Sequence, residues 1–151
     1  MKVLFLDIDG VLNSDATTRK TGTGWDFVDD IHIERLKRIL DATGAKVVLS
    51  STWRYDRDEP KLNSDFLELQ DYLKQFDIEF YDYTPNSNPY QRGLEIQEWL
   101  DEHPEVEQFV ILDDRDDMEP CMDHLVQTIQ HDALLDEHVE EAIQILNKNR
   151  S

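Results

Sequence analysis

The chain has 151 residues, the size of one domain, and 15 Lys and Arg against 34 Asp and Glu give it a net charge of −19. That sign excludes tight non-specific binding to nucleic acid or to an anionic membrane, which needs a basic face; from Gly93 to Asn147 the only Lys or Arg is Arg115. A lone cysteine, Cys121, excludes an internal disulfide framework or a Cys-cluster zinc site, and the apolar run Val3–Leu6 is too short for a signal peptide or membrane span, so a single cytoplasmic domain over residues 1–151 is expected.

Short apolar runs alternate with amphipathic stretches along the chain. Val3–Leu6 reads as a buried strand that meets a turn at Asp7-Ile8-Asp9-Gly10. Ile33, Leu36, Ile39 and Leu40 recur at helical spacing, with Asp29 or Asp30 as N-cap and Gly44 as the stop. Lys46–Leu49 is a second buried strand, closing on Ser50-Ser51-Thr52. Phe66, Leu69, Tyr72 and Leu73 predict a helix, and Ile78–Tyr83 a more exposed strand. Asn88-Pro89-Tyr90-Gln91 has the form of a helix start, with Ile96, Trp99 and Leu100 as the apolar stripe behind it. Phe109–Leu112 is the cleanest strand and runs into Asp113-Asp114. Leu125–Ile129 predicts a last strand, followed by a helix carrying Val139, Ala142, Ile143 and Leu146. Strands alternating with helices imply βαβ units: an α/β fold, a three-layer sandwich around a mainly parallel sheet.

Three of these strands end in polar groups: Asp7 and Asp9, then Ser50 and Ser51, then Asp113 and Asp114. Ligands of open parallel sheets bind beyond the carboxyl ends of the strands, so the three endings converge on one crevice if the strands are neighbours. Asp7 and Asp9, two apart on an extended chain, share a face with alpha-carbons roughly 6.5 Å apart. One carboxylate could attack phosphorus while the other protonates the leaving oxygen. The competing reading of the pair is a turn or capping role. A calcium loop starting at Asp7 fails, because Val11 and Leu12 stand where an oxygen ligand and a glycine are required. No GxxxxGK run is present, and the five histidines show no ligand spacing and read as surface residues.

Phe5-Leu6-Asp7-Ile8-Asp9-Gly10-Val11-Leu12 resembles the DxDG-V/T-L signature of the haloacid dehalogenase (HAD) superfamily of phosphohydrolases. Val47–Ser50 is similar to the second motif of that superfamily, Arg92 to the basic third and Val110–Asp114 to the acidic fourth. Ser50–Arg54 and the ending from Leu125 to Leu146 look most like the small HAD domain of Swiss Army Knife RNA-repair proteins. The resemblance implies a Rossmann-like HAD fold and a phosphatase. Asp7 would be the nucleophile and Asp9 the general acid/base. Mg2+ would be held by Asp7, the main-chain carbonyl of Asp9 and Asp114, with Asp113 or Asp117 supporting. Ser50, or Ser51 one residue on, would bind a phosphoryl oxygen, and Arg92 would offset charge.

Where many relatives have Gly-Asp-x-x-x-Asp, this chain has Asp113-Asp114 and then Met118, which leaves Asp116 and Asp117 as alternatives for the supporting carboxylate, Asp117 preferred. The gaps Asn13–Asp30 and Tyr55–Gln91 leave no room for a folded cap: the first fits a flap that could carry Trp25 and Phe27 over a substrate, the second one helix, one strand and loops. A capless architecture is implied. The expected substrate is a nucleotide, a phosphorylated nucleic-acid end or a small metabolite phosphate. The alternative of another class is a HAD-fold binding module without catalysis, which would not need Asp7, Asp9, Ser50, Arg92 and Asp114 together.

Overall fold

The computed structural model describes residues 1–15, 28–50, 55–56, 59–62, 64–85, 87 and 91–148. Strands β1 (Lys2–Leu6), β2 (Lys46–Leu49), β5 (Phe80–Tyr83), β6 (Gln108–Asp113) and β7 (Leu125–Gln127) form one sheet in the order β5-β2-β1-β6-β7. Every neighbouring pair is parallel. Strands β3 (Tyr55–Asp56) and β4 (Glu59–Leu62) form a separate antiparallel pair, an element the sequence pattern did not predict. The described helices are α1 (Asp30–Thr43), α2 (Ser64–Lys74), α3 (Arg92–Asp101) and α4 (Asp136–Leu146), with a 3-10 turn at Met122–His124. None of them is long and apolar enough to cross a membrane.

The alternation of side chains along each strand sorts the core into two layers. Leu4, Leu6, Val47, Leu49, Val110 and Leu112 point to one face, where they meet Ile33, Leu36 and Ile39 of α1 and Val139, Ala142 and Leu146 of α4. Leu69 and Leu73 of α2 join the same cluster. Val3, Phe5, Val48 and Ile111 point the other way, onto Ile96 and Trp99 of α3 and onto Met118 and Cys121. The Phe5 ring stands edge-on to Trp99, with centroids 5.5 Å apart. Both faces of the parallel sheet are thereby covered at its centre, which is why Val3–Leu6, Val47–Leu49 and Phe109–Leu112 are apolar without interruption.

Helix α1 begins after Asp29 and stops at Gly44, whose φ of 72° places it in the left-handed region while its N–H donates to the Leu40 carbonyl. Helix α3 starts later than Asn88 and Pro89 imply. Gln91, with φ −141° and ψ 85°, is the residue before it, and residues 88–90 lie outside the described set. The cap comes from a distant loop: the Arg92 N–H donates to Asp117 Oδ2 at 3.0 Å and the Gly93 N–H to the Asp117 carbonyl at 2.9 Å. Gly93 is needed for that approach, because a Cβ there would lie 2.3 Å from the Met118 carbonyl.

Candidate active site

The central three strands bring their carboxyl ends together. The Asp7 N–H donates to the Leu112 carbonyl at 3.0 Å, and the Ser50 N–H donates to the Leu6 carbonyl at 2.9 Å. The pairing therefore runs one residue past β1 and β2 and sets Ser50 and Asp7 beside Asp113, the last residue of β6, all three buried. Arg92, at the first turn of α3, reaches across from the neighbouring layer. Its Nη1 lies 2.6 Å from Asp113 Oδ2 and 3.3 Å from Asp7 Oδ1. The other oxygen of Asp113 accepts the Arg115 N–H at 3.0 Å. Burial would lower the Arg92 pKa, but Asp113 and Asp7 outweigh it and push the guanidinium further up, so it stays charged.

One guanidinium does not neutralise three carboxylates. Asp7, Asp113 and Asp114 each bring an oxygen within 4.8 Å of the others. Burial first, and then the Asp113 carboxylate, holds Asp7 well above the usual carboxylate range, against the pull of Arg92. Asp114 is raised by the same two causes in the same order. Hard oxygen donors converging at excess negative charge match what Mg2+ takes, one or two carboxylates with further oxygens, so the residues fit the ion that the resemblance implies.

Ser50 Oγ is buried with no hydrogen-bond partner, alone in that respect among the described residues. A buried hydroxyl left unmatched costs about 1–3 kcal/mol. Next to Asp7, that unmatched hydroxyl suits the oxygen of a bound group.

Asp9 is not on extended strand. The Val11 and Leu12 N–H groups both donate to the Ile8 carbonyl, at 3.1 and 2.9 Å, so the chain is already turning at Ile8. The expectation of two carboxylates alternating along a strand is corrected accordingly: Asp7 is buried at the strand end and Asp9 is exposed in the turn. Gly10, at φ 82°, makes the turn possible, and a Cβ there would lie 2.3 Å from Asp114 Oδ2. The Gly10 carbonyl accepts Thr128 Oγ1–H at 2.6 Å, which ties the turn to the chain after β7.

Some predicted residues are placed elsewhere. Asp117, preferred as the supporting carboxylate, caps α3 and pairs with Arg115, outside the cluster of three; Asp116 is exposed. Ser51, Trp25, Phe27, Trp53 and Arg54 lie outside the described residues. Not all the histidines are on the surface. His32 is buried with Nδ1 2.9 Å from the Leu134 carbonyl, and buried His138 accepts the Leu135 N–H at the start of α4. Neither could have been read from spacing, since both partners are backbone groups. The Cys121 thiol is pushed up to about 11, by burial and then by Glu119 and Asp101, so it is no nucleophile at neutral pH.

The family model described as the HAD domain in Swiss Army Knife RNA repair proteins matches residues 3–139. That span runs from β1 into α4 and contains every group of the cluster. No curated protein matches the chain.

Proposed function

The chain belongs to the family of HAD domains in Swiss Army Knife RNA repair proteins, and from that membership we propose that it is a Mg2+-dependent phosphomonoesterase acting through an aspartyl-phosphate. The observation that carries this reading is the unpartnered Ser50 Oγ beside a buried, Arg92-bound Asp7. A carboxylate held for structure alone would not need an unmatched hydroxyl next to it. A phosphoryl oxygen accepting from Ser50 would satisfy that group and set phosphorus against Asp7.

In this mechanism Asp7 Oδ attacks phosphorus and the bond to the ester oxygen breaks. Asp9 gives its proton to the departing oxygen. Water then attacks the aspartyl-phosphate; Asp9 takes its proton, and inorganic phosphate leaves. Arg92 keeps Asp7 placed and offsets charge on the phosphate. Asp7, Asp114 and the Asp9 carbonyl, with Asp113 in support, would hold Mg2+, which would supply the positive charge that lets a phosphate dianion approach the carboxylates.

As substrate we propose a nucleotide or a phosphorylated nucleic-acid end, in keeping with the RNA-repair setting of the family. A chain of charge −19 repels long polyanions, which favours short ends. The test is kcat/KM with Mg2+ on a sugar phosphate, a mononucleotide and 3′- and 5′-phosphorylated oligonucleotides at two salt concentrations. The nucleotide or oligonucleotide should be preferred, and oligonucleotide turnover should rise with salt. A sugar phosphate that wins at both concentrations refutes the substrate reading.

A further inference from the structure

Asn13 is a buried amide at the far side of the turn that carries Asp9, and the HAD signature through Leu12 does not include it. Its Oδ1 accepts the Gly10 N–H at 2.8 Å, and its Nδ2 donates to Asp9 Oδ1 at 2.9 Å. Asp9 and Asn13 are also joined by an isolated backbone bridge. The two side-chain contacts fix each other. A backbone N–H can meet only the oxygen of an amide, so the NH2 group must face Asp9. That group is donor only, so Asp9 Oδ1 is the acceptor, and the bond is stronger when that oxygen bears the carboxylate's negative charge.

We propose that Asn13 is the positioning residue of the general acid: it holds Asp9 Oδ1 as an acceptor and thereby places the transferable proton on Oδ2. This rests on the phosphomonoesterase reading above. As the bond between phosphorus and the ester oxygen breaks, the proton passes from Asp9 Oδ2 to that oxygen, and the Asn13 N–H bond to Oδ1 stabilises the carboxylate left behind. The tie touches Asp9 through its carboxylate, so losing the amide donor while keeping the acceptor for the Gly10 N–H should be felt most where a proton must be delivered.

The test is leaving-group dependence in Asn13→Asp, which keeps an acceptor for Gly10 N–H and removes the donor to Asp9. With Mg2+, kcat on an alkyl phosphate should fall about 10²-fold, the low end of general-acid catalysis, with little change in KM. On p-nitrophenyl phosphate, whose leaving group needs no proton, kcat should fall less than about threefold. In an Asp9→Asn background the same substitution should cost nothing further, since groups acting as one unit are not additive. Equal losses on both substrates, or full additivity with Asp9→Asn, would overturn the proposal. A second measurement stands apart from turnover: the Asn13 side-chain amide signal in a nitrogen-15 NMR spectrum should move on Asp9→Ala. An unmoved signal would overturn the positioning role. A wild type inactive on both phosphates, with the amide signal moving, would defeat the phosphatase reading and leave the Asn13–Asp9 tie standing.

Discussion

Toward α1, α2 and α4 the sheet is held by an apolar cluster to which all five strands contribute, β5 through the partly buried Phe80 and Tyr83; toward α3 the apolar cluster is smaller, and directional polar ties supplement it. On the α3 side Asp117 caps the helix, Trp99 Nε1–H donates to Asp82 Oδ2 at 2.8 Å, and Gln91 Nε2–H donates to the Glu119 carbonyl at 3.1 Å. Arg92 is held on that same side by Asp113 and Asp7. Apolar burial scales with area and tolerates small displacements, whereas a hydrogen bond weakens steeply with misalignment. One face supplies most of the cohesion, then, and the other fixes the placement of the charged groups.

This division can be broken from either side. The largest effect should come from Asp7→Asn, which abolishes phosphate release because an amide is no nucleophile at phosphorus. Its circular dichroism should match the wild type and its melting temperature should be no lower, since the variant removes a carboxylate that burial disfavours. Near-normal turnover would end the covalent mechanism. Asp9→Asn should cost about 10²–10⁴-fold in kcat on an alkyl phosphate.

On the opposite face, fully buried Leu36 offers the converse experiment. Leu36→Ala should lose about 2–5 kcal/mol in urea denaturation while the folded fraction keeps its kcat. A kcat that falls in step with stability would show that the two faces are not separable. Smaller again is Asp117→Ala, which should cost about 1 kcal/mol of stability through the lost cap. Because α3 begins at Arg92, turnover should drop as well, and Asp117→Asn, which keeps a side-chain acceptor, should recover part of both.

The smallest contrast lies in pH. The raised carboxyls of Asp7 and Asp114 contribute stability below the unfolded value of about 3.9 and lose it as pH rises through their elevated values. Asp136, at the seam of α1 and α4, is held low by Arg38 and Arg35 and behaves oppositely, losing its contribution as pH falls. Exposed as it is, that contribution should vanish at high salt. Thermal scans with and without Mg2+ should show a metal-induced gain that grows from acid to neutral pH. A gain independent of pH would remove these carboxylates from the metal site.

Much of the fold was legible because its signals are local. The uninterrupted runs Val3–Leu6, Lys46–Leu49 and Phe109–Leu112 became the three central strands, and Gly44 ended α1. Their endings were legible as a site because parallel neighbours place equivalent chain positions together. What was missed depends on partners distant in sequence or on patterns that carry no period. The start of α3 is set by Asp117, twenty-five residues further on, so the cap signature at Asn88 pointed to the wrong residue. The β3–β4 pair contains Glu59-Pro60-Lys61-Leu62, with no apolar alternation and a proline that strands accept mainly at edges. Asn13 stood in plain view after the signature. Its role appears only once the turn at Ile8 folds it back on Asp9.

The place of β1 at the centre of the sheet also governs how the chain can be made. Lys2–Leu6 pairs on one side with Lys46–Leu49 and on the other with Gln108–Asp113, so during ribosomal synthesis the first strand waits for most of the chain to emerge. Until then its second edge is an open template for aggregation, the hazard of long-range parallel pairing. Arg92 is translated before its anchor Asp113, so the newborn chain carries Asp7 and the cation that will grip it well before the strand that unites them. A chain that has not yet reached Asp113 therefore lacks the strand that draws Asp7 and Arg92 into one cluster.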